Sequence, residues 1–170
     1  MIFLGLGSNL PSKYGDRFTN INLAISSLEG YGIKVIKKSS FYETPSYPNK
    51  ENPKFINAVI LVETILPPID LMSVLIFIEE KLERKRGKKN DPRTCDIDII
   101  DYNSQILNLR YNNLDLTVPH KELTSRNFIL FPLQEISPTW KHPKTKEIIS
   151  VLLQKLSEED KNSILKIDEN

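Results

Sequence analysis

The sequence predicts an α+β protein, a ferredoxin-like βαββαβ sandwich with an additional C-terminal hairpin and helices. Three observations predict it. Short apolar blocks with strand character fall at residues 2–7, 33–43, 55–63 and 95–101. Apolar residues recur at helical spacing over 17–29 and 69–83. Taken along the chain, these blocks run strand, helix, strand, strand, helix, strand, the order of the split βαβ motif. The 170 residues suit one domain burying roughly 70% of its unfolded surface. Residues 1–157 read as that domain and 158–170 as a loose polar tail.

Each element has its own local cause. Residues 2–7 are apolar and contain two glycines, Gly5 and Gly7, which fits a buried strand. Asp16 is placed to cap a helix whose face is Phe18, Ile21, Ala24, Ile25 and Leu28, and Gly30 and Gly32 stop it. Ile33, Val35, Ile36, Phe41 and Tyr42 mark the next strand. Pro45, Pro48 and Pro53 make residues 44–54 a loop, because proline gives a sheet no donor. Residues 55–63 are apolar on both faces apart from Asn57. Pro67 and Pro68 open a helix with a Leu71, Leu75, Ile78 and Leu82 stripe. After the strand at 95–101, Tyr102 to Gln105 should turn the chain back into 106–110 as a hairpin. Residues 116–119 are extended, 128–136 helical but broken by Pro132, and 145–156 a last amphipathic helix.

Composition narrows the function. Twenty-three basic residues against twenty-two acidic ones give a net charge of +1, far from the strongly basic balance of a dedicated DNA binder. One cysteine excludes an internal disulfide framework, and with two histidines it cannot complete an ordinary structural zinc site. The longest apolar run, residues 74–78, is far short of the ~20 that span a bilayer. Met1 to Leu4 show no secretory n-region. A cytoplasmic protein with no membrane or nucleic-acid partner is the expectation. The dinucleotide fingerprint, the P-loop, the nucleophile elbow and the kinase catalytic loop are all missing.

Four groupings can carry chemistry. Asp96 and Asp98 stand two apart on a strand, so they share a face about 6–7 Å apart while Cys95, Ile97 and Ile99 point away. Such a pair holds a divalent cation, pairs with arginines, or lies on a solvated edge. Residues 81–93 contain seven basic residues (Lys81, Arg84, Lys85, Arg86, Lys88, Lys89, Arg93) against Glu83 and Asp91. That segment is either a solvated helix end or a phosphate-binding patch leading into the carboxylate pair. His120 follows a proline and has Arg126 close by, which allows a phosphate contact or a plainly exposed ring; His142 reads as surface. Phe55 and Asn57 share a strand face and offer a flat ring beside an amide, which suits a flat heterocycle, although the amide could equally bond the backbone.

Gly5-Leu6-Gly7-Ser8-Asn9-Leu10, Phe41-Tyr42-Glu43-Thr44-Pro45, Phe55-Ile56-Asn57-Ala58, Pro92-Arg93-Thr94-Cys95-Asp96-Ile97-Asp98-Ile99 and Leu116-Thr117-Val118-Pro119-His120 occur in that order. Together they closely resemble the 6-hydroxymethyl-7,8-dihydropterin pyrophosphokinase family of folate biosynthesis, over residues 2–156. The resemblance implies a monomeric enzyme that moves the terminal pyrophosphate of ATP to the pterin hydroxymethyl group and releases AMP. It implies two magnesium ions on Asp96 and Asp98, with ATP as co-substrate. Arg84, Arg86 and Arg93 match positions that act on the triphosphate. Glu79, Ile99, Thr117, His120, Lys121 and Arg126 complete the nucleotide set. Thr44, Pro45, Tyr47, Phe55, Asn57, Asp96 and Phe128 match the pterin side. The chain departs from the family pattern at Asn90-Asp91, where a tryptophan-glycine pair is common, and at Asp115 and Lys121, where an arginine and a tyrosine are frequent. The alternatives are an RNA-binding module of the same fold using residues 81–93, and a catalytically weakened pterin-binding paralogue.

Overall fold

In the computed structural model, residues 1–85, 87–88, 90–112 and 114–167 are described. The first strand, β1 (Ile2–Ser8), takes the middle of an antiparallel sheet. It pairs with β4 (Phe55–Glu63) on one side and with β5 (Asp96–Tyr102) on the other. The far edge of β4 carries two short strands, β2 (Lys34–Lys38) and β3 (Phe41–Thr44). The single strand expected over 33–43 is therefore divided. Ser39 still bonds Val59, but Ser40 turns out of the ladder, its N–H and hydroxyl both donating to the Glu135 carboxylate.

Helices cover both faces. α1 (Arg17–Leu28) begins where Asp16 accepts the Thr19 N–H at 2.9 Å, a bond that also lowers the Asp16 carboxyl pKa. Its chain runs through a short 3-10 turn and stops at Gly32, whose φ of 71° suits glycine. α2 (Pro68–Lys81) lies beside it. Ile2, Leu4 and Leu6 of β1, Ile56, Ala58 and Ile60 of β4, and Ile97 and Ile99 of β5 meet Ile21, Leu28, Leu71, Leu75 and Ile78 in the first core. The opposite face carries Phe3, Val59 and Ile100, packed against α3 (Asn127–Ile136) and α4 (Ile149–Gln154) in a second core. Ile100 reaches that face by alternation with Asp98, and a bulge follows: Leu4 pairs with Ile99 but Phe3 with Asp101, so Asp101 also turns to the second core and Tyr102 to the first.

The C-terminal third departs from the sequence expectations in several places. The hairpin does not form between 95–101 and 106–110; β6 (Leu107–Tyr111) instead pairs with β7 (Leu114–Val118) in a separate two-stranded sheet. Pro132 does not break α3. It sits in the second turn, removes one backbone bond, and the buried Ile129, Leu130, Leu133 and Ile136 hold the helix together. The last helix starts only at Ile149, since residues 141–148 fold into a turn closed by the Lys141–Ile148 bridge. His142 is buried in that turn, its Nδ1 accepting the Thr145 N–H at 3.0 Å. The expected loose tail forms α5 (Glu158–Asn162) and β8 (Leu165–Ile167), which adds to β3. Among the described residues, no helix is long and apolar enough to cross a membrane.

A buried polar tie runs through the second core. Trp140 Nε1 donates to Asp101 Oδ2 at 2.7 Å, and Asp101 is 1% exposed. Trp140→Phe strands that carboxylate oxygen, so chemical denaturation should show a loss of about 1–3 kcal/mol.

Candidate active site

The site grows from the open end of the second sheet face. Gly7 pairs with Asn57 on one side and with Asp96 on the other, and Gly5 faces Asp98. Side chains alternate along each strand, so Asn57, Asp96 and Asp98 rise from the same face. A Cβ at Gly7 would lie 3.3 Å from Asn57 Oδ1 and 3.6 Å from the Phe55 ring. The glycine therefore lets the ring and the amide lean across the central strand. At Gly5 a Cβ would meet the Ile129 and Ile100 side chains at 2.8 and 2.9 Å, so glycine there lets α3 sit close to the sheet.

Three arginines converge on the carboxylates. Arg93 holds Asp96 Oδ2 through Nε at 2.8 Å and Nη2 at 2.5 Å. Arg84 Nη1 is 2.6 Å from Asp96 Oδ1 and also bonds Glu79. Glu79, 2% exposed on the last turn of α2, accepts the Ile97 N–H at 2.7 Å, so it ties helix, strand and arginine together. Arg126 reaches Asp98 at 3.5 Å and Glu122 at 2.6 Å. The pairing of the carboxylates with arginines, one of the readings left open by the sequence, is thus present. Desolvation, and then the charge of Asp96, raise the Asp98 carboxyl to about 6, with the arginines pulling the other way.

A cavity of about 400 Å³ opens beside this pair, between α2, β5 and β7. It brings together Glu79, Arg84, Asp96, Asp98, Ile99, Thr117, His120, Lys121 and Arg126. Met72, Ile76 and Glu122 also line it, and sequence reasoning did not pick these out; Leu116 and Asp115, which the sequence reading did name, line it too. Arg93 stands over the Phe55 ring at 4.9 Å instead of lining the cavity, and Arg126 stands over Phe128 at 5.5 Å. Arg86 lies outside the described residues. Thr44 is buried and Pro45 half-buried, but Tyr47 is 82% exposed.

Asn57 is more constrained than its sequence position suggests. Its Nδ2 donates to the Tyr42 carbonyl at 3.2 Å and to Thr44 Oγ1 at 3.0 Å, which uses both of its hydrogens. Only the carbonyl Oδ1 is left to meet a ligand. Ser8, Asn9 and Ser46 are buried at the rim, and the sequence reading gives them no role there. The signal for them was the polar Ser8-Asn9 pair closing an apolar strand.

The chain matches a family model described as 7,8-dihydro-6-hydroxymethylpterin-pyrophosphokinase (HPPK) over residues 3–138. The folic acid synthesis protein fol1 of Schizosaccharomyces pombe is 36% identical over 91% of this chain, which spans 20% of that protein's length. The 2-amino-4-hydroxy-6-hydroxymethyldihydropteridine pyrophosphokinase of Synechocystis sp. is 34% identical over 90% of this chain and 74% of its own length. That of Aquifex aeolicus is 35% identical over 84% and 83%. The fold is similar to Plasmodium falciparum HPPK-DHPS crystallised with pteroate, with a TM-score of 0.72 at 17% identity over 91% of this chain and 44% of that one.

His120 Nδ1 accepts the Glu122 N–H at 3.2 Å, which leaves Nε2 to carry the proton of a neutral ring. Desolvation, then Arg126, lower its pKa from 6.5 to about 4. Desolvation also lowers that of His142. Below pH 6.5 the unfolded chain takes up protons that these folded rings refuse. The contribution of these rings, fully present above pH 6.5, is therefore lost as the pH drops toward 4, while Asp98, raised to about 6, contributes with the opposite sign; denaturation of the unmodified chain and of His120→Gln at several pH values should show the difference between them shrink as the pH falls. In imidazole NMR of the ligand-free protein both rings should titrate below 6.5, with His120 near 4.

Proposed function

The chain belongs to the 7,8-dihydro-6-hydroxymethylpterin-pyrophosphokinase family, and on that premise we propose that it transfers pyrophosphate from ATP to the hydroxymethyl group of 6-hydroxymethyl-7,8-dihydropterin, a step of folate biosynthesis that leaves AMP. The observation that carries this reading is the meeting of Asp96 and Asp98 with Arg84, Arg93 and Arg126 at the mouth of a cavity of about 400 Å³, one strand away from Phe55 and Asn57. An arginine-lined cavity suits a triphosphate, and the Phe55–Asn57 side suits a flat ring. The central sheet order β5, β1, β4 and then β2 with β3, with α1 and α2 on one face, supports a ferredoxin-like arrangement of the domain. We read the protein as working in the cytoplasm as a monomer.

The donor set fits magnesium. Two adjacent carboxylates give hard oxygens, and the cation takes its remaining ligands from water and substrate phosphates. A protein-only cluster of three acidic or imidazole ligands is therefore not needed, and none is present among the described residues. When bound by Asp96 and Asp98, magnesium supplies charge neutralisation and orientation at the phosphate oxygens.

The rest follows from the chain's own side chains. The pterin hydroxyl oxygen attacks the β-phosphorus in line, the hydroxyl proton passes to water, and the bond from the β-phosphorus to the bridging oxygen breaks, that oxygen and its electron pair leaving with AMP. Arg84 and Arg93, which bracket Asp96, turn to the triphosphate and offset charge as it moves to the leaving group. Glu79 keeps Arg84 at the site while it exchanges partners. Asn57 Oδ1 accepts from a ring N–H of the pterin, and Phe55 stacks on the ring. Neutral His120 donates from Nε2 to a phosphate oxygen. Little covalent work remains for the protein beyond positioning. RNA binding through residues 81–93 is disfavoured, because Arg84 and Arg93 direct their charge inward to Asp96.

Incubation with ATP, magnesium and the hydroxymethyl pterin should yield AMP and the pterin pyrophosphate in equal amounts. Formation of ADP, or of no product, overturns the reading. Asp96→Ala and Asp98→Ala should each reduce turnover by about 10²-fold or more, with the circular dichroism spectrum unchanged. Near-normal turnover in both variants would remove the metal assignment.

A further inference from the structure

Asn9 sits at the end of β1, 1% exposed, and touches both halves of the site's rim. Toward the phosphate side, its backbone N–H donates to the Arg93 carbonyl at 3.0 Å, and its Oδ1 accepts the Arg93 N–H at 2.7 Å. Arg93 is thus held by both of its own backbone polar groups, while its guanidinium lies between Asp96 and the Phe55 ring. Toward the ring side, Asn9 Nδ2 donates to Ser46 Oγ at 3.2 Å and to the Pro53 carbonyl at 3.0 Å. Ser46 Oγ in turn donates to the Pro53 carbonyl at 2.5 Å, which closes the loop between β3 and β4.

One amide therefore joins two segments that are far apart in sequence. Its acceptor is used by one segment and its donors by the other. No other side chain of this size does both: aspartate lacks the donors and alanine lacks all three partners. Because the amide is buried, water is poorly placed to replace any of these bonds, and a shift of the 44–54 loop is passed to the Arg93 backbone.

We propose that Asn9 is a positioning residue that couples the two substrate halves, so that a flat heterocycle held against the 44–54 loop sets Arg93 for the nucleotide's phosphates. This rests on the pyrophosphokinase reading and adds to it a named link between the two sites. Asn9 touches neither reacting group. Its effect is on how strongly one ligand alters the affinity for the other, and that coupling is reciprocal.

The test is calorimetric titration of the magnesium complex of α,β-methylene-ATP, with and without 6-hydroxymethyl-7,8-dihydropterin. In the unmodified chain the pterin should tighten analogue binding about fivefold or more. In Asn9→Ala that ratio should fall to within about twofold of unity, with Ser46→Ala, which removes one arm only, in between. A purely structural role would lower the melting temperature of Asn9→Ala and leave the ratio intact. That result overturns the inference, as does a ratio of one in the unmodified chain. If Asn9→Ala does not fold, the ratio in Ser46→Ala decides: an unchanged value overturns the coupling. Product assays on the unmodified chain keep the two ideas apart. AMP formation together with an unchanged ratio in the variants defeats only the coupling, whereas absence of both turnover and pterin binding defeats the underlying reading and the coupling with it.

Discussion

Two carboxylates on one face of β5 repel each other, and most of the site is arranged around that repulsion. Asp96 and Asp98 cannot separate, because Ile97 and Ile99 are anchored on the opposite face in the first core. Opposite charge must therefore come to them. It comes from three different places in the chain: Arg84 after α2, Arg93 just before β5, and Arg126 at the start of α3. At close range in a partly desolvated setting such pairs interact far more strongly than exposed ones. The site is thus an electrostatic balance of two acids against three arginines, which on the proposed reading would exchange partners with a metal–triphosphate complex.

The backbone makes that balance possible. Gly5 and Gly7 leave the central strand without side chains where the two carboxylates and Asn57 rise beside it. The first core fixes α2, and with it Glu79, whose buried carboxylate bonds both the β5 backbone and Arg84. The second core fixes α3, which brings Arg126 and Phe128 to the rim. Each face of the sheet therefore delivers a different set of cations to the same two acids. Asp115 and Lys121 line the cavity with opposite charges.

Much of the fold was legible because local rules governed it. Short apolar runs placed β1, β4 and β5 within a residue or so of their ends, and Asp16 with Gly32 bounded α1 and its final turn. The errors fell where pairing partners are chosen over long distances. Tyr102 to Gln105 contains turn residues and does turn, yet β6 takes β7 and not β5 as its partner, a choice that no local signal encodes. Polarity suggested that the C-terminal residues were loose, but an unfilled edge at β3 recruits β8. His142 read as surface because nothing local shows that Trp140 and a tight turn enclose it.

The sequence by itself determined the chemical alphabet of this protein: a carboxylate pair on one strand face, a basic segment leading into it, an aromatic and an amide sharing another face, and the motifs that mark the family. These are set by strand periodicity and by residue type, which need no partner. Only the tertiary structure decided which arginine meets which carboxylate, that Asn57 spends its two donors on β3 and keeps one acceptor, and that Asn9 joins the 44–54 loop to Arg93. Those outcomes depend on distances between segments tens of residues apart, and such distances are fixed by how the two cores pack against the sheet.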